Sequence, residues 1–452
     1  MSYTIAAVAT GMQVSAIGIL RLSGDTAIDI ANRLFLPASG RDMASYPDRR
    51  LVYGRLTDTG GQTLDMCLCT VSRAPNSYTG ENTAEFQCHG SPAVLRAALD
   101  AAFALGARQA KAGEFTKRAF LNGRMDLTSA EAVADIIDAE TAEAAKNAAG
   151  QLGGAISRRI EGVYRVLTDI SSHYHAVLDY PDEDIEDFRM ERYRGDIAAA
   201  VGTLQRLGAS YAHGRIMRGG IPAAIVGRPN AGKSSLLNAL LGYERAIVTD
   251  IPGTTRDTIE EKLLLGGVLL RLTDTAGLRD TDDEIERLGV MRSREAMENA
   301  ELVIAVIDGS GDLTSEDEKL LRAAEKAEHG IAVVSKSDLG KAVKLPETSL
   351  PTVELSSVTG EGLDELASLV KGLFTLPDAP AGEILTNARQ AEAVNWALDA
   401  LRAALDAINS GCTPDIVLTE TEAAMAALGE LTGRTVREDV TNRIFERFCV
   451  GK

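Results

Sequence analysis

The 452-residue sequence predicts a multidomain protein of α/β plus all-α class. A P-loop domain, with a parallel sheet and helices on both faces, is inserted in a helical domain, and an N-terminal α/β domain precedes both. Three observations predict this. A strand, a glycine loop and a helix open a stretch, 221–374, that alternates apolar strands with helices, the pattern of a parallel sheet. Helical text flanks that stretch on both sides. Residues up to about 118 mix short β-type runs with helix. The flanking amphipathic helices must each bury a stripe, and the simplest partner for one set is the other. Insertion is tolerated where domain termini lie close together. The boundaries that follow are 1–118, 119–217, 218–374 and 375–452.

In the first segment TIAAVAT, IGILRLSG, RRLVYGRLT and LDMCLCTV read as strands, with Thr59, Gly60 and Gly61 as a hairpin turn between the last two. SPAVLRAALDAAFALGA has helical spacing. From Thr128 the text becomes rich in Ala and Glu. Thr128 with Glu131 reads as a capping box, and helix continues to about Gly150 and again from about Ile156 to Val177. YPDEDIEDF (180–188) is an acidic break that reads as a solvated loop rather than a metal site. Ile197, Val201, Leu204 and Leu207 stripe the next helix, and Gly219 and Gly220 end the segment. Beyond about 380, Leu398, Leu401, Leu405 and Ile408 form one helical face and Gly411 stops it. Thr419 with Glu422 and Thr435 with Glu438 read as capping boxes for the last two helices.

Composition bounds the function. Lys and Arg total 47 against 65 Asp and Glu, a formal net charge of −18. Hydrophobic residues at 45% and charged residues at 25% exclude a disordered or collagen-like chain. No run approaches the ~20 apolar residues of a membrane span. The start, MSYTIAAVATG, lacks the features of a signal peptide, so no membrane association and a cytoplasmic location are expected. The acidic balance disfavours a chain that coats nucleic acid alone, because phosphate binding needs clustered Lys and Arg. Five cysteines (67, 69, 88, 412, 449) show no CxxC spacing. Cys67 and Cys69 share one face of a strand and read as buried, reduced thiols. Cys88 and His89 read as local packing or the lining of a pocket rather than a metal site. His173 and His175 face different directions on a helix and make a poor metal pair. Trp396 reads as a packing residue.

IPAAIVGRPNAGKSSLLNALL carries the strongest signal. A strand, Ala223 to Val226, runs into Gly227–Ser234 and then a helix, the context a P-loop requires. Gly227 and Gly232 let the backbone amides face phosphate oxygens, Lys233 reaches the β- and γ-phosphates, and Ser234 can ligate magnesium. Thr255 in IPGTTRD can close over the γ-phosphate and give its hydroxyl to magnesium. LLRLTDTAG places Asp274 at a strand end for the metal's second shell, with Gly277 able to donate an amide to the γ-phosphate. In IAVVSKSD, Asp338 can accept the two hydrogen bonds that guanine offers and adenine does not, while the Lys336 stem covers the ring. The usual GTPase pattern there is Asn-Lys-x-Asp. This chain has Ser335 in place of Asn, which can still hydrogen-bond locally. Ser356, Ser357 and Val358 fit the last base-contacting loop. Leu278 stands directly after DTAG, where Ras-like switches place a water-orienting Gln. Glu286 in DDEIERLG is the best carboxylate candidate to position water, although with five acids between 280 and 286 the residue types alone favour a solvated helix charge. Arg256 and Arg279 are the arginines near enough to act.

GRPNAGKSSLLN, GTTRD and DTAGLR with DEIERLG, all inside helical text, resemble the MnmE (TrmE) family of tRNA-modification GTPases. The terminal Phe448-Cys449-Val450-Gly451-Lys452 is similar to that family's FCIGK signature, and SYTGEN, EFQCHGSP and GEFTKRAFLNGRMDLTSAEAVADII extend the resemblance across the chain. The resemblance implies an N-terminal domain that binds a tetrahydrofolate derivative (5,10-methylene or 5-formyl) and dimerises. It implies G domains activated by dimerising across the nucleotide, with K⁺ in place of an arginine finger. By residue, Asn230, Thr249, Ile251 and Thr254 match the potassium ligands, with Ser234 and Thr255 on Mg²⁺. Glu286 matches the general base and Arg279 an adjoining switch arginine. GTP contacts extend to Ala231, Ser235, Asp250, Pro252, Gly253, Thr275, Ala276 and Ser337. Arg21, Glu85, Arg124 and Lys452 match the folate positions, Arg124 standing where some relatives carry Lys. Cys449 matches a residue near the one-carbon chemistry.

The family acts with the flavoprotein MnmG (GidA), which carries the FAD, to install an aminomethyl or carboxymethylaminomethyl group at carbon 5 of the tRNA wobble uridine. The alternative is a ribosome-assembly switch of the Era or Der kind. Its G-domain text would be much the same, but it would lack the folate-type N-terminus and the cysteine tail. A stress-linked regulatory switch is a third reading that the tail also disfavours.

Overall fold

The computed structural model describes residues 3–180, 182, 188–243, 261–272, 297–340, 343, 345–374, 380–435, 438–446 and 448–452, with 438–440 and 443 as backbone only. The chain divides into two compact units. One joins Met1–Ala134, Gly150–Leu204 and Glu392–Lys452; the other joins Asp135–Ala149 and Gln205–Ala391.

The first unit contains a seven-stranded sheet of β1 (Ile5–Val8), β2 (Ser15–Ser23), β3 (Phe35–Pro37), β4 (Val52–Thr57), β5 (Thr63–Ser72), β6 (Thr83–Gly90) and β7 (Arg108–Gln109). The order is β3-β4-β5-β6-β2-β1-β7, antiparallel except for β1 with β7. Burial alternates along β4 and β6, as it must when one face meets a core and the other water. The helices Ala27–Leu34 and Pro92–Ala104 cover the buried face, where Leu95 and Ala98 join Leu20, Leu22 and Phe86 in one cluster. Cys67, Cys69 and Cys88 belong to the same core and are free thiols. Asp65 lies within 4.8 Å of Cys67 and Cys88. Its carboxylate already accepts the amides of Met66 (2.7 Å) and His89 (2.8 Å), and the hydrogen bond with Cys88 and burial push the Cys67 thiol up. The strip is packing, as its strand spacing predicts.

The helix Ala155–Asp179 buries Ile156, Ile160, Val163, Leu167 and Ile170, a stripe spaced four, three, four, three. It packs along the helix Pro414–Thr432, which buries Val417, Thr421, Ala424, Leu428 and Leu431. Two helices start before the threonines expected to cap them. The helix Leu127–Asp138 begins before Thr128, and Asp126 caps it: its Oδ1 accepts the Ser129 amide at 2.7 Å and the Thr128 hydroxyl at 2.8 Å. Pro414 at the first helical position sets the later start, so Thr419 lies inside the helix and donates to the Asp415 carbonyl. The Thr435–Glu438 pair involves a side chain outside the described residues. Trp396 is 61% exposed rather than packed, because it lies two residues from both Val394 and Leu398 and so on the opposite side of the helix Ala388–Asn409. His173 and His175 serve different partners, Tyr193 and Glu422.

The second unit is built on β8 (Ile221–Val226), β9 (Glu261–Leu265), β10 (Val268–Leu272), β11 (Leu302–Asp308), β12 (His329–Ser335) and β13 (Thr352–Leu355), in the order β13-β12-β11-β8-β10-β9. All pairs are parallel except β9 with β10. Val303 to Ile307 are fully buried, which is why LVIAVI shows no alternation: helices cover both faces. Leu236, Leu240, Leu366 and Val370 pack one face, from the helices Lys233–Tyr243 and Leu363–Leu373. Leu321 and Ala324, from the helix Ser315–Ala324, pack the other. The carboxyl ends of β8, β11, β12 and β13 point the same way, so the loops that follow them converge, the usual place for a ligand in such a sheet.

Candidate functional site

The loop Gly227–Gly232 turns β8 into the helix Lys233–Tyr243. A Cβ at Gly227 would sit 2.5 Å from the Val306 carbonyl oxygen, and Gly232 has φ +97°, so glycine is required at both. Asn230 also adopts left-handed backbone, φ 61°, with its side chain exposed. Lys233 folds back over the loop, and its Nζ donates to the carbonyls of Gly227 (2.8 Å) and Arg228 (2.9 Å). Burial pushes the Lys233 pKa down. The first-turn amides of the helix, its dipole and this ammonium form a cradle for an anion, with Ser234 and Ser235 exposed at its mouth. Arg228 Nε lies 3.4 Å from Oδ1 of the wholly buried Asp317, which anchors the loop toward the helix Ser315–Ala324.

The carboxyl ends of β11, β12 and β13 carry the groups expected from sequence to read the base. Lys336, φ 60°, holds its Nζ 2.7 Å from Asp308 Oδ2. Desolvation works against the ionised Asp308, but hydrogen bonds from Lys336 and Ser310 prevail and bring its pKa to about 2. Ser356, fully buried, donates to Asp338 Oδ1 at 2.7 Å while accepting the amides of Val358 (3.3 Å) and Thr359 (3.2 Å). That hydroxyl fixes the turn holding Ser357 and aims the Asp338 carboxylate, which keeps further acceptor positions for ring N–H donors. Ser337 opens the short 3₁₀ turn that presents Asp338. The Ser335 hydroxyl donates back into the phosphate loop, to the Ala231 carbonyl at 2.6 Å. Asp308 escaped the sequence reading. Its signal is an Asp closing an apolar strand, in register with Ser335. Thr249, Asp250, Ile251, Pro252, Gly253, Thr254, Thr255, Asp274, Thr275, Ala276, Gly277, Arg279 and Glu286 lie outside the described residues.

In the first unit, the C-terminal segment docks on the N-terminal domain. Val450 bridges Ala112, the Gly113 amide donates to the Cys449 carbonyl at 3.4 Å, and the Phe115 amide to the Lys452 carbonyl at 3.1 Å. Phe448 is buried against Phe445. Gly451, φ +99°, passes so close to β1 that a Cβ would lie 2.5 Å from the Val8 carbonyl oxygen. Beside the tail, Arg21 donates from Nε to Glu85 at 2.7 Å, its register partner on β6, and from Nη1 to the Gly451 carbonyl at 3.5 Å. Its guanidinium lies over the rings of Tyr78 (5.6 Å) and Phe115 (5.7 Å). The loop carrying Tyr78 is held by Ser23 and by Arg118, both bonded to Glu81 at 2.7 Å. The Arg124 stem lies along Gly80 of that same loop. Arg21, Glu85 and the Lys452 backbone thus come together, with Arg124 on the loop's other flank and Cys449 exposed in the tail. Tyr78 and Phe115, given no role in the sequence reading, are aromatic residues of the SYTGEN and GEFTKRAF segments.

A strand, glycine loop and helix on a largely parallel sheet, with further loops converging at the strand ends, define a P-loop nucleotide-binding protein. Two family models match the chain: the N-terminus of the GTP-binding protein TrmE over residues 4–124, and the MnmE helical domain over residues 127–449. The tRNA modification GTPase MnmE of Symbiobacterium thermophilum is 43% identical over 454 residues, 99% of each chain. Those of a Roseiflexus species (43% over 469 residues) and Heliobacterium modesticaldum (42% over 463 residues) are likewise similar over 99% of each chain. The chain belongs to the MnmE family of tRNA modification GTPases.

Proposed function

We propose that this chain is a potassium-activated GTPase that, as a homodimer and with the flavoprotein MnmG, adds an aminomethyl or carboxymethylaminomethyl group at carbon 5 of the tRNA wobble uridine. The observation that carries this reading is the docked tail. An Era- or Der-like switch gives no reason to seat a cysteine-bearing C-terminus against Arg21 and Glu85. The groups there suit a folate: a carboxylate for ring N–H donors, guanidinium groups for carboxylates, and the Tyr78 and Phe115 rings for stacking. Bound tetrahydrofolate would supply the transferred carbon; Arg21, Glu85, Arg124 and Lys452 would hold and orient it, with Cys449 near the reacting carbon.

At the nucleotide, Lys233 leaves its two loop carbonyls for β- and γ-phosphate oxygens, and the adjacent amides bind the same groups. Ser234 and Thr255 would hold Mg²⁺, and Asn230 with Thr249, Ile251 and Thr254 would hold K⁺, which supplies positive charge where charge develops in the transition state. Glu286 accepts the proton of the attacking water, directly or through a second water, because Leu278 offers no hydrogen-bonding group. GTP hydrolysis is expected to rise sharply in K⁺ over Na⁺. Glu286→Ala should slow it by about 10²–10⁴-fold with nucleotide affinity nearly unchanged. The pathway itself is tested by nucleoside mass spectrometry of tRNA from a strain lacking this gene. Loss of the 5-aminomethyl-type wobble uridines is expected; their persistence, with no second enzyme, moves the ribosome-assembly reading to first place.

A further inference from the structure

Ser335 closes β12 where the ends of two strands meet the phosphate loop. It is 2% exposed, and its Oγ lies 2.6 Å from the Ala231 carbonyl oxygen and 3.0 Å from the Ile307 carbonyl oxygen of β11. Carbonyl oxygens only accept, and a hydroxyl has one proton to give. That proton is committed inside the protein. The side-chain amide more usual at this position has two protons, enough to satisfy a carbonyl and keep one for a ligand.

Guanine offers two kinds of edge. Its N1–H and N2 amino donors suit the carboxylate of Asp338, which Ser356 holds in place. Its N7 and O6 are acceptors and need a donor. We infer that Ser335 is a positioning residue, tying the base loop to the phosphate loop, and that this chain reads guanine with no side-chain donor from position 335 to N7. The inference rests on the guanine-nucleotide reading of the same site. It assigns a specificity: guanine nucleotides altered at position 7 bind like the parent, while those lacking the N2 amino group bind more weakly.

The test is competition against a fluorescent N-methylanthraniloyl-GDP on the full chain, using GDP, 7-deaza-GDP, IDP and ADP. The wild type should bind 7-deaza-GDP within about twofold of GDP, and IDP more weakly. Ser335→Asn should open a preference of roughly five- to tenfold for GDP over 7-deaza-GDP, the worth of one neutral hydrogen bond. Ser335→Ala should weaken both nucleotides together and leave their ratio unchanged. A wild-type preference of tenfold or more for GDP over 7-deaza-GDP would overturn the inference, as would an unchanged ratio in Ser335→Asn, which puts position 335 out of reach of N7. If GDP binds no better than ADP, the guanine reading itself fails, a result distinct from either of these.

Discussion

At Asp308, hydrogen bonds from Lys336 and Ser310 outweigh the cost of burying a carboxylate and settle its pKa at about 2. The unfolded chain has the ordinary aspartate value of about 3.9, so the folded pKa is the lower one. The stability Asp308 contributes is therefore complete above about pH 5, declines as pH falls through 4 and is gone below about 2. The difference in thermal unfolding temperature between wild type and Asp308→Asn should shrink over that range; a constant difference would mean that packing, not charge, holds the pair. The same substitution frees Lys336 from its partner, and GDP affinity should fall by about tenfold, the size of one charge-assisted hydrogen bond at the lower end. Asp308 lies in none of the nucleotide motifs. The parallel register sets it beside Ser335 and so within reach of Lys336, whereas Lys233, Ser234 and Asp338 are proposed from motifs that are local in the chain.

Between elements, two contacts deserve a direct test. The stripe of the helix Ala155–Asp179 has its partner in the helix Pro414–Thr432, more than two hundred residues later in the chain. Leu167 is fully buried in that stripe, and Leu167→Ala should cost about 2–5 kcal/mol in urea unfolding, since the cavity adds to the lost transfer energy. A cost below about 1 kcal/mol would mean the site collapses around the smaller side chain. The tail is the second contact. Gly451→Ala combines a disfavoured φ with a 2.5 Å approach to the Val8 carbonyl, so the tail must shift. Affinity for a tetrahydrofolate, measured by calorimetry, should drop at least tenfold while GDP affinity holds; equal folate affinity would remove the tail from the binding site. Deleting Cys449 to Lys452 should spare GTP hydrolysis and stop tRNA modification. Periodicity announced these helices, but not their caps: Asp126 and Pro414 set two starts that Thr128 and Thr419 were expected to set.

For the molecule as a whole, the two units have separate hydrophobic cores, one around the seven-stranded sheet and its helices, the other around the parallel sheet. A ligand that binds one folded unit stabilises that unit by mass action. GDP at one hundred times its dissociation constant should raise the calorimetric transition of the nucleotide unit by about 2.7 kcal/mol and leave the other unmoved. A folate should do the reverse. A single transition raised by either ligand would mean the units unfold as one.

Features local in the chain were legible in the sequence: the strand, glycine loop and helix of the phosphate loop, the largely parallel sheet written in unbroken apolar runs, and the stripes that each helix must bury. These follow from spacing within a few residues, where backbone geometry fixes what neighbours what. The tertiary structure alone decided which distant groups meet. It set Gly451 against Arg21, Asp308 against Lys336, and the single proton of Ser335 on the Ala231 carbonyl. Such pairings depend on register, crossover and docking, which bring together residues whose separation along the chain carries no periodic trace.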